Sequence, residues 1–135
     1  MKYMLIMNSP RDGFTQYMSW PKKILEANGA FMEAFTKRLR DAGELVGTWG
    51  LASPEQAKRV HAGRDGKPIT DGVFPESKEF LAGYWIVDVD SPERAYQLAA
   101  EVLAAPHGPV ASVGGTPYDF GIEVREVMSG REDLT

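Results

Sequence analysis

One stretch of the sequence decides the fold, DGVFPESKEFLAGYWIVDVD at residues 71–90. It joins a charged turn to a run at residues 80–89 in which both alternating sets of side chains are apolar until Asp88. Because successive side chains of a strand point to opposite faces, this pattern predicts a long strand that is covered on both sides. A chain of 135 residues has few elements with which to cover it. The stretch therefore raises the question of a second subunit.

The composition is typical of one acidic domain. The 135 residues include 19 acidic and 15 basic side chains, which argues against a nucleic-acid or membrane-surface partner. The sequence contains no cysteine and shows no signal-peptide pattern, which fits a reducing cytoplasm. We expect a cytoplasmic protein with a single domain at residues 1–128 and a short tail at residues 129–135.

Hydrophobic spacing predicts the order strand, helix, strand, hairpin, strand, helix, strand. The strands are predicted at residues 2–7, 44–49, 80–89 and 122–127, the helices at residues 24–42 and from Ser91 to before Pro106, and the hairpin pairs residues 57–62 with 67–70. A loop rich in glycine and proline is predicted at residues 107–121. The hairpin is polar and is expected to protrude.

This order predicts an α+β fold with a ferredoxin-like unit, in which an antiparallel sheet carries two helices on one face and an added hairpin. Two helices on one side leave the other side of the sheet bare. The bare face would exceed the few hundred Å² of contiguous apolar surface that is usual for monomers. We therefore predict a homodimer in which two sheets pack face to face.

Four blocks of the sequence resemble the DGPF subgroup of the YCII-related proteins. They are residues 1–6, 71–79, 82–90 and 122–127, and they occur in the family's order across nearly the whole chain. The resemblance implies a dimeric α/β barrel, the architecture already inferred from the bare sheet. Most members are uncharacterised, and the resemblance links related members to small-molecule lyase chemistry through a His and Asp pair.

The sequence departs from the family pattern at the positions that would carry this chemistry. The short YCII enzymes have their His near the start of the first helix, but residues 28–35 contain none. Their Asp after the second helix falls near residues 104–106, which contain no carboxylate. Val73 also stands where the subgroup motif has Pro. The catalytic pair of the family therefore cannot be assigned to this chain.

His107 and Asp71 are the remaining catalytic candidates. His107 lies in the predicted loop at the rim of the barrel, where an imidazole can act as a general base, although it can equally be a solvent-exposed loop histidine. Asp71 opens the DGPF-like motif and can pair with His107 or bind a ligand, and its alternative is turn chemistry beside Gly72. With two histidines, His61 being the other, and no clustered carboxylates, we predict no metal and no cofactor.

The candidate ligand-binding residues are Asp71, Phe74, Lys78, Trp49 and Tyr84. Trp49 and Tyr84 suit the wall of an apolar pocket between sheet and helices, and the alternative is core or dimer-interface packing. Lys78 can bind an anionic group of a ligand, and the alternative is a solvated charged turn. Tyr84 must lie on the opposite face of its strand from Trp85.

Two functions remain open at this point. The first is a dimeric binding or accessory module that takes a small organic molecule, or a protein partner, into a cleft near Asp71 and Phe74 without chemistry. The second is a small-molecule enzyme, lyase- or monooxygenase-like, in which His107 or Asp71 transfers a proton. We favour the first because the family's catalytic pair is missing.

Overall fold

The computed structural model describes residues 1–72, 79–110, 112–113, 116–117 and 120–130. This part of the chain is a mixed α+β fold with antiparallel sheets and three helices, which confirms the predicted class. The motif positions Val73, Phe74 and Lys78 and the end of the predicted tail, residues 131–135, lie outside the described residues.

The strands and helices follow the predicted order. They are β1 Lys2–Ser9, α1 Gly13–Met18, α2 Lys22–Asp41, β2 Leu45–Gly50, a 3₁₀ turn Pro54–Gln56, β3 Lys58–Ala62, β4 Pro68–Gly72, β5 Phe80–Asp88, α3 Pro92–Val102, β6 Ser112–Val113, β7 Thr116–Pro117 and β8 Ile122–Glu126. Helix α1 and the short strands β6 and β7 were not predicted. Helix α1 has only six residues, so Phe14, Tyr17 and Met18 make a single turn of helical spacing, which is too short to predict a helix.

The main sheet has four strands in the order β2-β5-β1-β8, and every neighbouring pair is antiparallel. Strand β5 is an inner strand, as its two apolar faces require. The register places Leu5 of β1 opposite Trp85 of β5. Strands β3 and β4 form a separate two-stranded sheet between β2 and β5 in the chain, which confirms the predicted hairpin.

The hydrophobic core lies between one face of this sheet and helices α2 and α3. Phe35 of α2 packs edge-on against Trp85, with ring centroids 5.6 Å apart. The buried core consists of Tyr3, Leu5, Phe35, Leu39, Trp85, Val87, Val89, Ala95, Leu98, Ala99 and Val102. Both long helices therefore cover the same face of the sheet.

The other face of the sheet is apolar along β2, β5 and the middle of β1, and at its edge β8 places Arg125 opposite Met4 and Glu123 opposite Ile6. The register places Ile6 and Trp49 opposite Tyr84, and Met4 opposite Ile86. These residues alternate along their strands with the buried core residues, so they point away from α2 and α3. The side chain of Trp49 is 71% exposed. We call the surface formed by Met4, Ile6, Trp49, Tyr84 and Ile86 the open face.

A bidentate ion pair fixes the start of α3 to the start of β2. The Ser91 hydroxyl caps α3 by accepting a hydrogen bond from the Arg94 backbone N–H at 3.2 Å, as the sequence predicts. The Arg94 guanidinium donates from Nε and Nη2 to the two carboxylate oxygens of Glu44, both at 2.9 Å. These hydrogen bonds lower the pKa of Glu44.

Replacing Glu44 with Gln is expected to lower the free energy of unfolding by about 1 kcal/mol near pH 7, because the guanidinium loses its charged partner. The folded-state pKa of Glu44 lies below its ordinary value of 4.5, so the contribution is present above that value and is lost as the pH falls through the folded-state pKa. Urea denaturation across this acidic range should show the difference between the two proteins shrinking.

The control is Glu33→Gln on the exposed surface of α2, which should change stability by less than about 0.5 kcal/mol. A Glu44→Gln difference that stays constant with pH would contradict the assignment.

Candidate functional site

An apolar depression of about 450 Å³ lies where β2 ends and β5 begins. Its lining consists of Leu51, Ala52, Ser53, Pro54, Gln56, Ala57, Phe80 and Leu81, none of which carries a charge. The Leu51 backbone N–H donates to the Ala82 carbonyl at 2.8 Å, which holds one wall against β5. The Ser53 hydroxyl accepts from the Glu55 N–H at 3.3 Å and shapes the 3₁₀ turn of the other wall. This surface suits a small apolar group with few polar atoms.

Trp49 and Tyr84 lie side by side on the face of the sheet that points away from the helices. They are register partners on the open face, so they do not line a pocket between the sheet and the helices. The helix side is filled by Trp85, whose indole Nε1 donates to the Thr36 hydroxyl at 3.4 Å. The sequence showed that Tyr84 and Trp85 face opposite ways, and the pairing of β2 with β5 decides which face each takes. The role of Trp49 and Tyr84 as ligand contacts stays a prediction.

Asp71 lies on β4 of the hairpin, opposite Arg59 of β3. Every residue of both strands is exposed, in agreement with a protruding hairpin. Among the described residues, no hydrogen bond joins Asp71 to His107. The other two motif candidates, Phe74 and Lys78, lie outside the described residues.

His107 is exposed and lies against the corner between α1 and α2. Its Nδ1 is 2.8 Å from the Gly108 carbonyl oxygen, and its ring centroid is 6.3 Å from that of Trp20. The Trp20 indole Nε1 donates to the Pro109 carbonyl at 2.8 Å. Tyr17 packs edge-on against Trp20, with ring centroids 5.1 Å apart. The segment after α3 is therefore fixed by an aromatic cluster, with the imidazole on its outer side.

Sequence reasoning missed Asn28, the buried polar residue of the described core region. Its side-chain Nδ2 donates to the Pro106 carbonyl at 2.8 Å and so connects α2 to the segment after α3. A signal was present, because Asn28 has helical spacing with Met32, Phe35 and Leu39 on the apolar stripe of α2. A polar side chain on such a stripe needs a hydrogen-bond partner.

Among the described residues, the titratable groups form no metal-binding cluster. Within the described ranges, no three His, Asp or Glu side chains converge in a way that could hold a metal ion. Burial raises the pKa of the Tyr3 phenol, and the nearby Glu126 carboxylate adds to the rise. The described helices also include none with the length and apolar character needed to cross a membrane.

The comparison with known families agrees with this architecture. The model of the YCII-related domain matches residues 1–114, most of the chain. The chain belongs to the YCII-related family. No curated protein matches it. The match includes β1, α2, β5 and α3, and it ends before β8.

In this YCII-related chain, the two regions that the resemblance associates with a His and Asp pair do meet. Asn28 lies in the first of them and Pro106 in the second, and their contact is an amide–carbonyl hydrogen bond. A neutral amide neither accepts nor releases a proton near pH 7, unlike an imidazole or a carboxylate. The contact can hold the two segments together, but it cannot act as a general base.

Gly108→Ala tests the fixed segment after α3. A Cβ at this position would lie 2.6 Å from Cδ1 of Trp20, closer than unbonded atoms approach. We expect a loss of about 1–3 kcal/mol in the free energy of unfolding, because Trp20 must move from its contact. Urea denaturation followed by near-ultraviolet circular dichroism measures both effects.

The matched control is Gly121→Ala, because a Cβ there would have no atom within 4 Å. Equal losses for the two variants would contradict the close contact between Gly108 and Trp20.

Proposed function

We propose that this chain is a homodimeric binding module of the DGPF subgroup that takes small, uncharged, largely apolar organic molecules. The observation that carries the proposal is the uncharged lining of the depression between Leu51 and Leu81. The DGPF-like stretch at residues 71–79 supports the subgroup, and Phe80 and Leu81 of the lining follow that stretch in the sequence. The cysteine-free sequence supports a cytoplasmic location.

The strand order supports a ferredoxin-like unit. Strand β1 leads through α2 to the edge strand β2, and β5 leads through α3 to the other edge strand, β8. Both crossovers run over the same face, since the core residues of both helices pack against Tyr3, Leu5 and Trp85. This order supports a split βαβ unit, with the hairpin β3–β4 inserted between the second and third strands.

The open face supports pairing of two such units as a dimeric α/β barrel. Trp49 is 71% exposed there, beside Tyr84 and Ile6. Two sheets that pack face to face bury their side chains in a layer about 10 Å thick. Association would remove this aromatic and aliphatic surface from water, which favours the dimer by the hydrophobic effect.

Binding is better supported than catalysis. The amide of Asn28 stands in the region of the family's histidine and donates to a backbone carbonyl. The exposed His107 directs Nδ1 to the Gly108 carbonyl, and the described residues that line the depression include no titratable side chain. General acid–base catalysis requires a group that exchanges a proton within reach of the substrate. The enzyme alternative, with His107 or Asp71 transferring a proton, therefore has less support.

The dimer is tested with Trp49→Asp. Light scattering on the unmodified protein at micromolar concentration should give about twice the chain mass. The substitution places a charge in the apolar interface and should raise the dissociation constant of the dimer at least about tenfold. Tyr96→Asp is the control, because Tyr96 is an exposed aromatic residue on α3, away from the open face. A monomer in the unmodified protein would overturn the pairing.

The ligand class is tested by thermal unfolding with acetophenone as a neutral probe and benzoate as a charged probe of similar size. Acetophenone should raise the melting temperature, because a ligand of the native state stabilises it by about 2.7 kcal/mol at 100 times its dissociation constant. Benzoate should not, because the described residues of the lining offer its carboxylate no cation.

Ala52→Arg fills the depression and should abolish the shift by acetophenone. Ala27→Arg, on the exposed surface of α2, should preserve it. An equal shift by benzoate, or a full acetophenone shift in Ala52→Arg, would refute the proposed site.

A further inference from the structure

The hairpin formed by β3 and β4, which we call the ribbon, leaves all its strand residues exposed. The strands are Lys58–Ala62 and Pro68–Gly72, and every residue in them is exposed to solvent. An isolated two-stranded hairpin is marginally stable in water, because each strand has only one neighbour and no covered face. A ribbon of this kind gains stability when another surface covers it.

The two faces of the ribbon differ. Register pairs place Val60 opposite Thr70, and Ala62 opposite Pro68, on one face. Val60 is 62% exposed, and Lys58 is the one charged side chain of the strands on this face. We call this face, formed by Lys58, Val60, Ala62, Pro68 and Thr70, the Val60 face.

The other face of the ribbon carries its own polar and local contacts. It contains Arg59 opposite Asp71, and His61 opposite Ile69. The Cδ1 atom of Ile69 lies near Gly63, 3.5 Å from the position that a Cβ there would take. The Val60 face is therefore the more apolar of the two.

Charge distinguishes the ribbon from the rest of the chain. Residues 58–72 contain four Lys or Arg side chains and two Asp side chains, a net charge of +2. The whole chain carries −4, so the remaining residues carry −6. The ribbon of one copy is thus complementary in charge to the body of another copy.

The position of the ribbon also points to a second copy. The connection that contains it leaves the main sheet at Gly50, one residue after Trp49 of the open face, and rejoins the sheet at Phe80. The side chains of Leu51 and Leu81, next to these two points, are exposed. Five residues of strand extend about 17 Å. A copy seated on the open face would lie next to the point at which this connection leaves the sheet.

We propose that the Val60 face of each ribbon packs on the partner subunit and extends the dimer interface beyond the open face. This inference rests on the proposed dimer. The ribbon acts as an arm: its apolar centre excludes water, and its cations meet the acidic body of the partner.

The test compares Val60→Asp with Ile69→Asp by sedimentation of the full chain over a range of concentrations. Both substitutions place an acid on an exposed strand position, so they perturb the ribbon itself alike. Val60→Asp should raise the dissociation constant of the dimer at least about tenfold, and Ile69→Asp should change it less than about threefold. Equal effects of the two variants would overturn the assignment of the face.

Charge is tested with Lys58→Glu, which should weaken the dimer at low ionic strength and lose much of its effect at high salt. Lys22→Glu on α2 is the control, since its side chain is 90% exposed outside the ribbon. One outcome separates the two proposals. If Trp49→Asp dissociates the dimer but Val60→Asp and Lys58→Glu leave its dissociation constant unchanged, the ribbon proposal is wrong. The open-face dimer is then still supported. If the unmodified protein is a monomer, both the open-face dimer and the ribbon proposal are wrong.

Discussion

The architecture depends on one constraint, the burial of a strand that is apolar on both faces. Trp85 and Val87 of β5 require cover on one side, and Tyr84 and Ile86 present an apolar surface on the other. The chain satisfies the first requirement internally, because Phe35 packs edge-on against Trp85 and α3 completes the layer. Both long helices are used on that side. No helix of the described chain covers the second side of β5. Its apolar side chains therefore remain on the surface, where Trp49 lies beside Tyr84.

The candidate site and the ribbon share one origin in the connection between β2 and β5. A direct hairpin would close these antiparallel neighbours with a short turn. Here the chain leaves at Gly50, forms the 3₁₀ turn and the ribbon, and returns at Phe80. The depression is the space between the turn and the start of β5, and the ribbon lies beyond it. The insertion between β2 and β5 therefore contains both the residues of one wall of the depression and the ribbon.

The contact between Asn28 and Pro106 joins α2 to the segment after α3. Packing α2 and α3 on one face brings the start of one helix close to the segment after the other. A buried polar side chain at that meeting point needs a hydrogen-bond partner, because an unsatisfied polar group there costs about 1–3 kcal/mol. Asn28 meets this need with a neutral amide. The contact between the two segments therefore carries no titratable group.

The sequence by itself determined the class of the fold and the order of its strands and long helices, because alternation in β5 and helical spacing in α2 and α3 are local patterns. It also placed Ser91 at the start of α3 and Tyr84 and Trp85 on opposite faces, since each depends on neighbouring residues alone. Helix α1 was not predicted because its six residues give one apolar turn, Phe14, Tyr17 and Met18, which is too short to establish a helical period.

Only the tertiary structure decided which face each aromatic residue takes, the contact of Asn28 with Pro106 across 78 positions, and the depression beside Leu51. These features depend on strand register and on the packing of segments distant in sequence. No local pattern encodes either, because both arise from the joint burial of the whole sheet against its helices.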